Sequence, residues 1–307
     1  MTSEENSSEK SQESMLDDYN DLSTIDPNDT RVILSVDSQV LSKIQQCNQR
    51  AAYRHIDNIE KEDVENTALE KGLVVHEGMA EFYLFKHKVE FETLRSQTVS
   101  RMESFAAAKT SLSNADINEC IDAMNGYMKE KQFDSWKVLF HNDEPLVEKT
   151  FAKLLYQNEE VIILYTGVTD LVVEFGNLHP PVDHKTYSSY YKAAVMSNQF
   201  HGYCWARNAP NLIVNRIGLG KKIGQNERVI VSYTPEELEE WKNNATFDIL
   251  NHYSQMKAGW FRKNYEACEE YGGCTFKMLC NAKPSARPIL IKVNYKQVPV
   301  WSPFDRN

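Results

Sequence analysis

Tyr165-Thr166-Gly167-Val168-Thr169-Asp170-Leu171-Val172-Val173-Glu174, followed by Val182-Asp183-His184-Lys185-Thr186, is the stretch that decides the fold. Apolar and β-branched residues crowd both segments, and Gly176-Asn177 supplies a turn between them. They read as neighbouring strands of a hairpin. Asp183 and Lys185 lie two apart, so on a strand both side chains leave the same face. Asp170 starts the neighbouring strand and can approach Asp183 across the hairpin. Two converging carboxylates suit a hard divalent cation such as Mg²⁺ or Mn²⁺, which polarises a phosphodiester and activates water. A lysine beside them orients that water or neutralises charge developing on the phosphate. Taken without its neighbours, Asp-x-Lys is equally a solvated ion pair on a surface hairpin.

Working outward, Leu146 to Tyr156, Glu160 to Thr166, Asp170 to Glu174 and Val182 to Thr186 read as short strands, with Gly167 as a turn. Ser38 to Ile56 reads as one helix capped by Ser38, and a second runs from about Val64 through Lys88. Residues 90 to 135 read as an inserted, partly exposed helical subdomain. After the hairpin, Tyr190 to Arg207 is helical, with Ala193, Ala194, Met196, Phe200 and Tyr203 on its buried side. Leu212 to Ile217 and Arg228 to Tyr233 are β-rich, and Thr234-Pro235 opens a helix to about Lys257. The remainder, 258 to 307, is loop-rich. This order predicts an α/β fold with a central mixed sheet flanked by helices.

Net charge is −10, which weighs against a basic nucleic-acid-binding surface. The acidity is local: residues 1 to 30 hold nine acids and one base, while the rest has 35 acids and 33 bases. That polar, Ser-rich start cannot bury enough apolar surface to offset its ordering entropy and reads as a disordered tail. The ordered chain is expected from about residue 31. No apolar run approaches a membrane span, and the start carries no secretory signal. A cytoplasmic setting, in a bacterial or phage-infected cell, is therefore expected. The six cysteines then stay reduced and become candidates for metal or core roles. Gly218-Leu219-Gly220 lacks the strand-to-helix context of a dinucleotide site, and Lys221 and Lys222 read as a solvated loop.

Two further pairs lie at helical spacing. Gly72 and His76 sit on the second helix; Gln199 and Tyr203 are i and i+4 on the helix after the hairpin. Each pair alone would be a core or helix-surface feature. In order along the chain, Gly72-x-x-x-His76, Gly167-x-x-Asp170, Asp183-x-Lys185 and Gln199-x-x-x-Tyr203 resemble the motifs of the PD-(D/E)XK nuclease superfamily. The match is to its RecB-like branch, which includes AddB-type and CRISPR-adaptation exonucleases. Val147-Glu148-Lys149-Thr150-Phe151 is similar to the strand that precedes the metal hairpin there.

The resemblance implies a restriction-endonuclease-like core and a Mg²⁺- or Mn²⁺-dependent deoxyribonuclease, an exonuclease rather than an endonuclease, in DNA processing, recombination or repair. It implies that His76, Asp170, Asp183 and the backbone carbonyl of His184 ligate metal. Lys185 would be the catalytic lysine, with Gln199 and Tyr203 positioning it. DNA is the implied partner. The chain has no helicase P-loop, so any unwinding or recombination partner is a separate protein. The alternative is a DNA-end-binding accessory module that uses the nuclease fold as a scaffold.

Cys47 near the start and Cys268, Cys274 and Cys280 near the end are similar to the iron–sulfur staple of the AddB-type and CRISPR-adaptation nucleases. There, four thiolates hold one 4Fe–4S cluster. The first late spacing departs from the usual pattern, with five residues between Cys268 and Cys274 instead of two. Zinc in the same thiolates, or no metal at all, are the alternatives. The resemblance places residues 258–285 as a cysteine-rich lobe packing on the Cys47 helix. Cys120 and Cys204 read as small core hydrophobes. Arg50, Tyr53, Arg54 and His55 follow Cys47, and Trp260, Phe261, Arg262, Lys263 and Tyr265 precede Cys268. These basic and aromatic residues suit a DNA strand, or equally an aromatic core with basic rims.

Overall fold

A computed structural model of the chain describes residues 21–62, 66–189, 195–269 and 273–300. In chain order the first elements are β1 (Val32–Val36), α1 (Ser38–Gln46), α2 (Asn48–His55), β2 (Ile59–Lys61) and α3 (Thr67–Phe85). Then come α4 (Phe91–Ala106), α5 (Asn114–Lys131), β3 (Lys137–Val138), β4 (Phe140–His141) and β5 (Glu144–Pro145). The central strands follow as β6 (Val147–Gln157), β7 (Val161–Glu174) and β8 (Pro181–Tyr187). They lead into α6 (Asn198–Ala206), β9 (Asn211–Gly218), β10 (Glu227–Ser232) and α7 (Pro235–Lys257). The chain closes with α8 (Lys277–Asn281), α9 (Arg287–Asn294) and β11 (Tyr295–Gln297).

The chain divides into two compact units. One contains Glu65–Phe151 and Val168–Pro235; the other contains Asn20–Val64, Ala152–Gly167 and Glu236–Asn307. Strands β6 and β7 run through both. In the first unit β7 is antiparallel to β8, β8 is parallel to β9, and β9 is antiparallel to β10, so the sheet is mixed. Helices α3, α4 and α5 cover it. Val74, Val75, Met79, Phe82, Leu94, Met102, Met124 and Tyr127 form one core with Val182 and Ile213 of the sheet. In the second unit β1 lies parallel to the start of β7, pairing Val32 with Val161. There Tyr53, Ile59, Phe276, Leu279 and Tyr295 form a separate apolar cluster, and β11 pairs with β2.

Several expectations are corrected. Glu160 to Thr166 and Asp170 to Glu174 are not two strands; β7 is continuous, and Gly167 lies inside it. The strand is paired before and after the glycine: β1 pairs with residues 161–165, and β8 and β3 pair with residues 171–174. Ser38 to Ile56 is two helices, because Cys47 takes an extended φ of −166° between them. The first is capped by Asp37 rather than Ser38, Oδ1 accepting from Val40 N–H at 2.7 Å. The helices expected as a partly exposed insertion have exposed faces and also supply core: Met102, Cys120, Met124 and Tyr127 are fully buried.

The helix expected from Tyr190 begins at Asn198; residues 190–194 lie outside the described residues. Met196, expected on its buried side, precedes that helix and is 90% exposed. The chain is anchored ahead of residue 31, since Asp21 accepts the Leu154 N–H at 2.6 Å and Ile25 packs against Ala152, Ile162 and Leu164. Residues 1–20 lie outside the described residues. The end of the chain is less loop-rich than expected, because α8, α9 and β11 order it around the Phe276 cluster.

Candidate active site

The register Leu171↔Val182 puts Asp170 and Asp183 on the next rung of the hairpin. Asp170 does not continue the ladder through its backbone alone. Its Oδ2 accepts the His184 N–H at 2.7 Å, so the carboxylate is locked in place by the strand it faces. Helix α3 brings His76 over this point. Its Nε2 lies 2.9 Å from the His184 carbonyl oxygen, and its Nδ1 lies 3.5 Å from Asp170. Strand β6 adds Glu148, whose carboxylate lies 3.9 Å from His76 Nδ1. Glu148 carries a φ of +49°, which breaks the β geometry at that residue.

His76, Glu148 and Asp170 thus offer ligand atoms all within 4.8 Å of one another. An imidazole nitrogen and two carboxylate oxygens fit a divalent cation. The His184 carbonyl oxygen points to the same imidazole. Sequence reasoning had placed Glu148 in a strand but had given it no role. A lone carboxylate following Leu146-Val147 at a strand start was the available signal.

Asp183, on the strand facing Asp170, is fully buried. Both of its oxygens lie 2.9 Å from Lys185 Nζ. Lys185 also donates to Gln199 Oε1 at 3.0 Å. Gln199 Nε2 donates to Tyr203 Oη at 3.2 Å, and Tyr203 donates to the Val168 carbonyl at 2.7 Å. Helix α6 therefore delivers the i, i+4 pair to the lysine, and β7 anchors the far end of the chain of bonds.

Burial raises the carboxyl groups of Asp170 and Asp183, the latter to about 6; His76 and Lys185 oppose the shift at both, while Glu148 adds to it at Asp170 and Asp170 adds to it at Asp183. For His76, burial opposes protonation, but Asp170, then Glu148 and Asp183, outweigh it and raise the imidazole to about 9. The protonated ring therefore sits among the carboxylates where a cation would lie. His184, fully enclosed, is held well below the usual imidazole range by burial and nearby cations, so its ring is neutral.

In the second unit, Cys47, Cys268, Cys274 and Cys280 line one small pocket with Arg50 and Lys263. Cys47 Sγ accepts the Asn264 N–H at 3.4 Å, and Asn264 Nδ2 donates to the Gln46 carbonyl at 2.9 Å. The segment before Cys268 thus docks on the break between α1 and α2. Burial raises the Cys280 thiol, and the Cys268, Cys274 and Cys47 sulfurs add to this. Four soft sulfur donors facing one pocket fit a thiolate-held metal group. Cys120 and Cys204 are fully buried elsewhere.

The proposed DNA contacts separate into two sets. Trp260 and Tyr265 are 64% and 75% exposed, and Arg262 is also exposed. Arg50 bonds Gln46 at 3.0 Å, and Lys263 bonds the Cys280 carbonyl at 3.1 Å. Arg54 is half-buried. Tyr53 is core, packed on Phe276, and burial pushes His55 down to about 3. Phe261 packs on His252. Among the described residues no helix is long and apolar enough to cross a membrane.

Among solved structures the chain is similar to one described as the crystal structure of SSO0001, at 13% identity and a TM-score of 0.40, over 85% of this chain and 90% of that one. No curated protein matches significantly. The family model of the PD-(D/E)XK nuclease superfamily matches residues 38–281, a span that takes in both carboxylate strands, the lysine and the cysteines. With most of its length under that one model, the chain belongs to the PD-(D/E)XK nuclease superfamily.

Proposed function

We propose that this nuclease is a Mg²⁺- or Mn²⁺-dependent deoxyribonuclease of the RecB-like branch, acting as an exonuclease in DNA processing, recombination or repair. The observation that carries the reading is Lys185, held between Asp183 and Gln199 beside the His76–Glu148–Asp170 triad. A divalent cation bound there supplies Lewis-acid polarisation of the scissile phosphate and activation of water. His76, Glu148, Asp170 and Asp183 would hold it, with the His184 carbonyl at its edge. Lys185 presents its ammonium where charge develops on the phosphate, and Gln199 and Tyr203 restrict its rotamer. Asp183 keeps that ammonium aimed.

The same reading assigns Cys47, Cys268, Cys274 and Cys280 to a 4Fe–4S cluster. What supports a thiolate-held group is that all four cysteines line one pocket, and zinc in the same thiolates is the alternative. Arg50, Lys263, Arg262 and Trp260, with Arg54, would meet a DNA strand near that cluster.

The test is digestion of end-labelled DNA by protein purified anaerobically, with an iron count. Cleavage with Mg²⁺ or Mn²⁺, lost in Asp183→Ala and in Lys185→Ala, is the expected result. Wild-type rates in both variants would overturn the assignment. Tight binding of DNA ends without turnover, across several divalent metals, would replace it with the end-binding scaffold.

A further inference from the structure

A polar rung crosses the sheet behind the metal triad. The strand registers pair His184 of β8 with Asn215 of β9, and Asn215 with Arg228 of β10. All three side chains leave the face opposite to Asp183 and Lys185. Asn215 is fully buried. Its Nδ2 donates to Tyr127 Oη at 2.9 Å and lies 2.9 Å from His184 Nδ1. Tyr127 Oη is 2.7 Å from Tyr83 Oη. The Tyr83 ring stacks on His184, with centroids 5.8 Å apart and planes 9° from parallel. Arg228 closes the rung: it donates to Tyr83 Oη at 3.2 Å, pairs with Asp134, and lies 3.3 Å over the Trp136 ring.

Such a network is a costly way to fill a core. Burying a polar group is costly unless it is bonded, and apolar residues of similar volume hold a fold as well. What the rung grips is the His184 ring. The peptide groups of that same residue bond two members of the triad, its N–H going to Asp170 and its carbonyl to His76. A small rotation of His184 would move both bonds. Groups behind a metal ligand commonly change metal affinity by about 10–100-fold when removed.

We propose that Asn215, backed by Tyr127 and Arg228, is a positioning residue for the metal triad, acting through the His184 ring and peptide. The proposal rests on the reading that the triad binds a divalent cation. The test measures Mn²⁺ binding to the full chain by electron paramagnetic resonance, beside its melting temperature and its DNA cleavage. Asn215→Leu should remain folded and weaken Mn²⁺ binding by about tenfold or more. Tyr127→Phe, which deletes only a hydroxyl, should weaken it by less. Leu94→Ala is a control in the same core without a polar link to His184. It should lower the melting temperature without changing Mn²⁺ binding.

Unchanged Mn²⁺ affinity in folded Asn215→Leu overturns the proposal, and so does equal weakening in Leu94→Ala. If Asn215→Leu does not fold, Tyr127→Phe decides alone: weakened Mn²⁺ binding supports the rung, and unchanged binding overturns it. Wild-type protein that binds Mn²⁺ but leaves DNA intact sinks the nuclease reading while the rung is still scored. Wild-type protein that binds no Mn²⁺ sinks both.

Discussion

His76 has two states that exclude one another. Without metal its imidazolium bonds the His184 carbonyl and faces Asp170 and Glu148; as a ligand it must be neutral. Its raised value of about 9 and the raised value of Asp183, about 6, have the same consequence. A group raised in the folded state stabilises the fold fully below its unfolded value, and that contribution is lost as pH rises through its folded value. The metal-free protein should therefore lose thermal stability in two windows, from the usual Asp range up through about 6, and from the usual His range up through about 9. Divalent metal replaces the lost protons, so the rise in melting temperature on adding Mn²⁺ should be larger at pH 8 than at pH 5. A metal-induced rise that shrinks with pH would contradict this. Asp183, Lys185, Gln199 and Tyr203 were legible in the sequence because period-2 and i, i+4 spacing state which side chains share a face. Glu148 was not, because a chain position says nothing about a strand that arrives from outside the hairpin.

At the scale of elements, two breaks were misplaced for opposite reasons. Gly167 looks like a turn, yet β7 continues past it, paired with β1 before the glycine and with β8 after it. Cys47 looks like mid-helix, yet it takes an extended conformation where the Asn264 segment docks. Both outcomes are tertiary overrides of local propensity. The glycines of α3 show the reverse dependence. Gly78 faces α4 and α5 so closely that an added Cβ would lie 2.7 Å from Met102 Sδ and 3.2 Å from Met124 Cγ. Alanine is the better helix former, but overpacking of this kind costs about 1–3 kcal/mol. Gly78→Ala should therefore lower stability in chemical denaturation, even though the helix itself gains. An increase in stability would mean that Met102 moves aside without cost.

Charge belongs to the whole molecule. Residues 1–20 hold six acids and one base, half of the net −10. Long-range repulsion of DNA by this segment reaches about 30 Å at 0.01 M salt and only about 8 Å at 0.15 M. Deleting residues 1–20 should speed DNA association severalfold at 0.01 M salt and change it little at 0.15 M, measured by stopped-flow fluorescence. A gain that persists at 0.15 M salt would point to a direct contact of the segment instead.

The sequence by itself determined the α/β class and the residues of the hairpin. These follow from periodicity and from the short-range geometry of strand and helix, which act over a few residues. It also set apart four cysteines by their positions, though not their occupant. The tertiary structure alone decided that Glu148 joins His76 and Asp170, and that the helices between residues 90 and 135 bury one face in the core. It alone aligned His184, Asn215 and Arg228 on one rung. Strand register and helix docking set these contacts, and both are fixed by the joint packing of segments far apart in the chain.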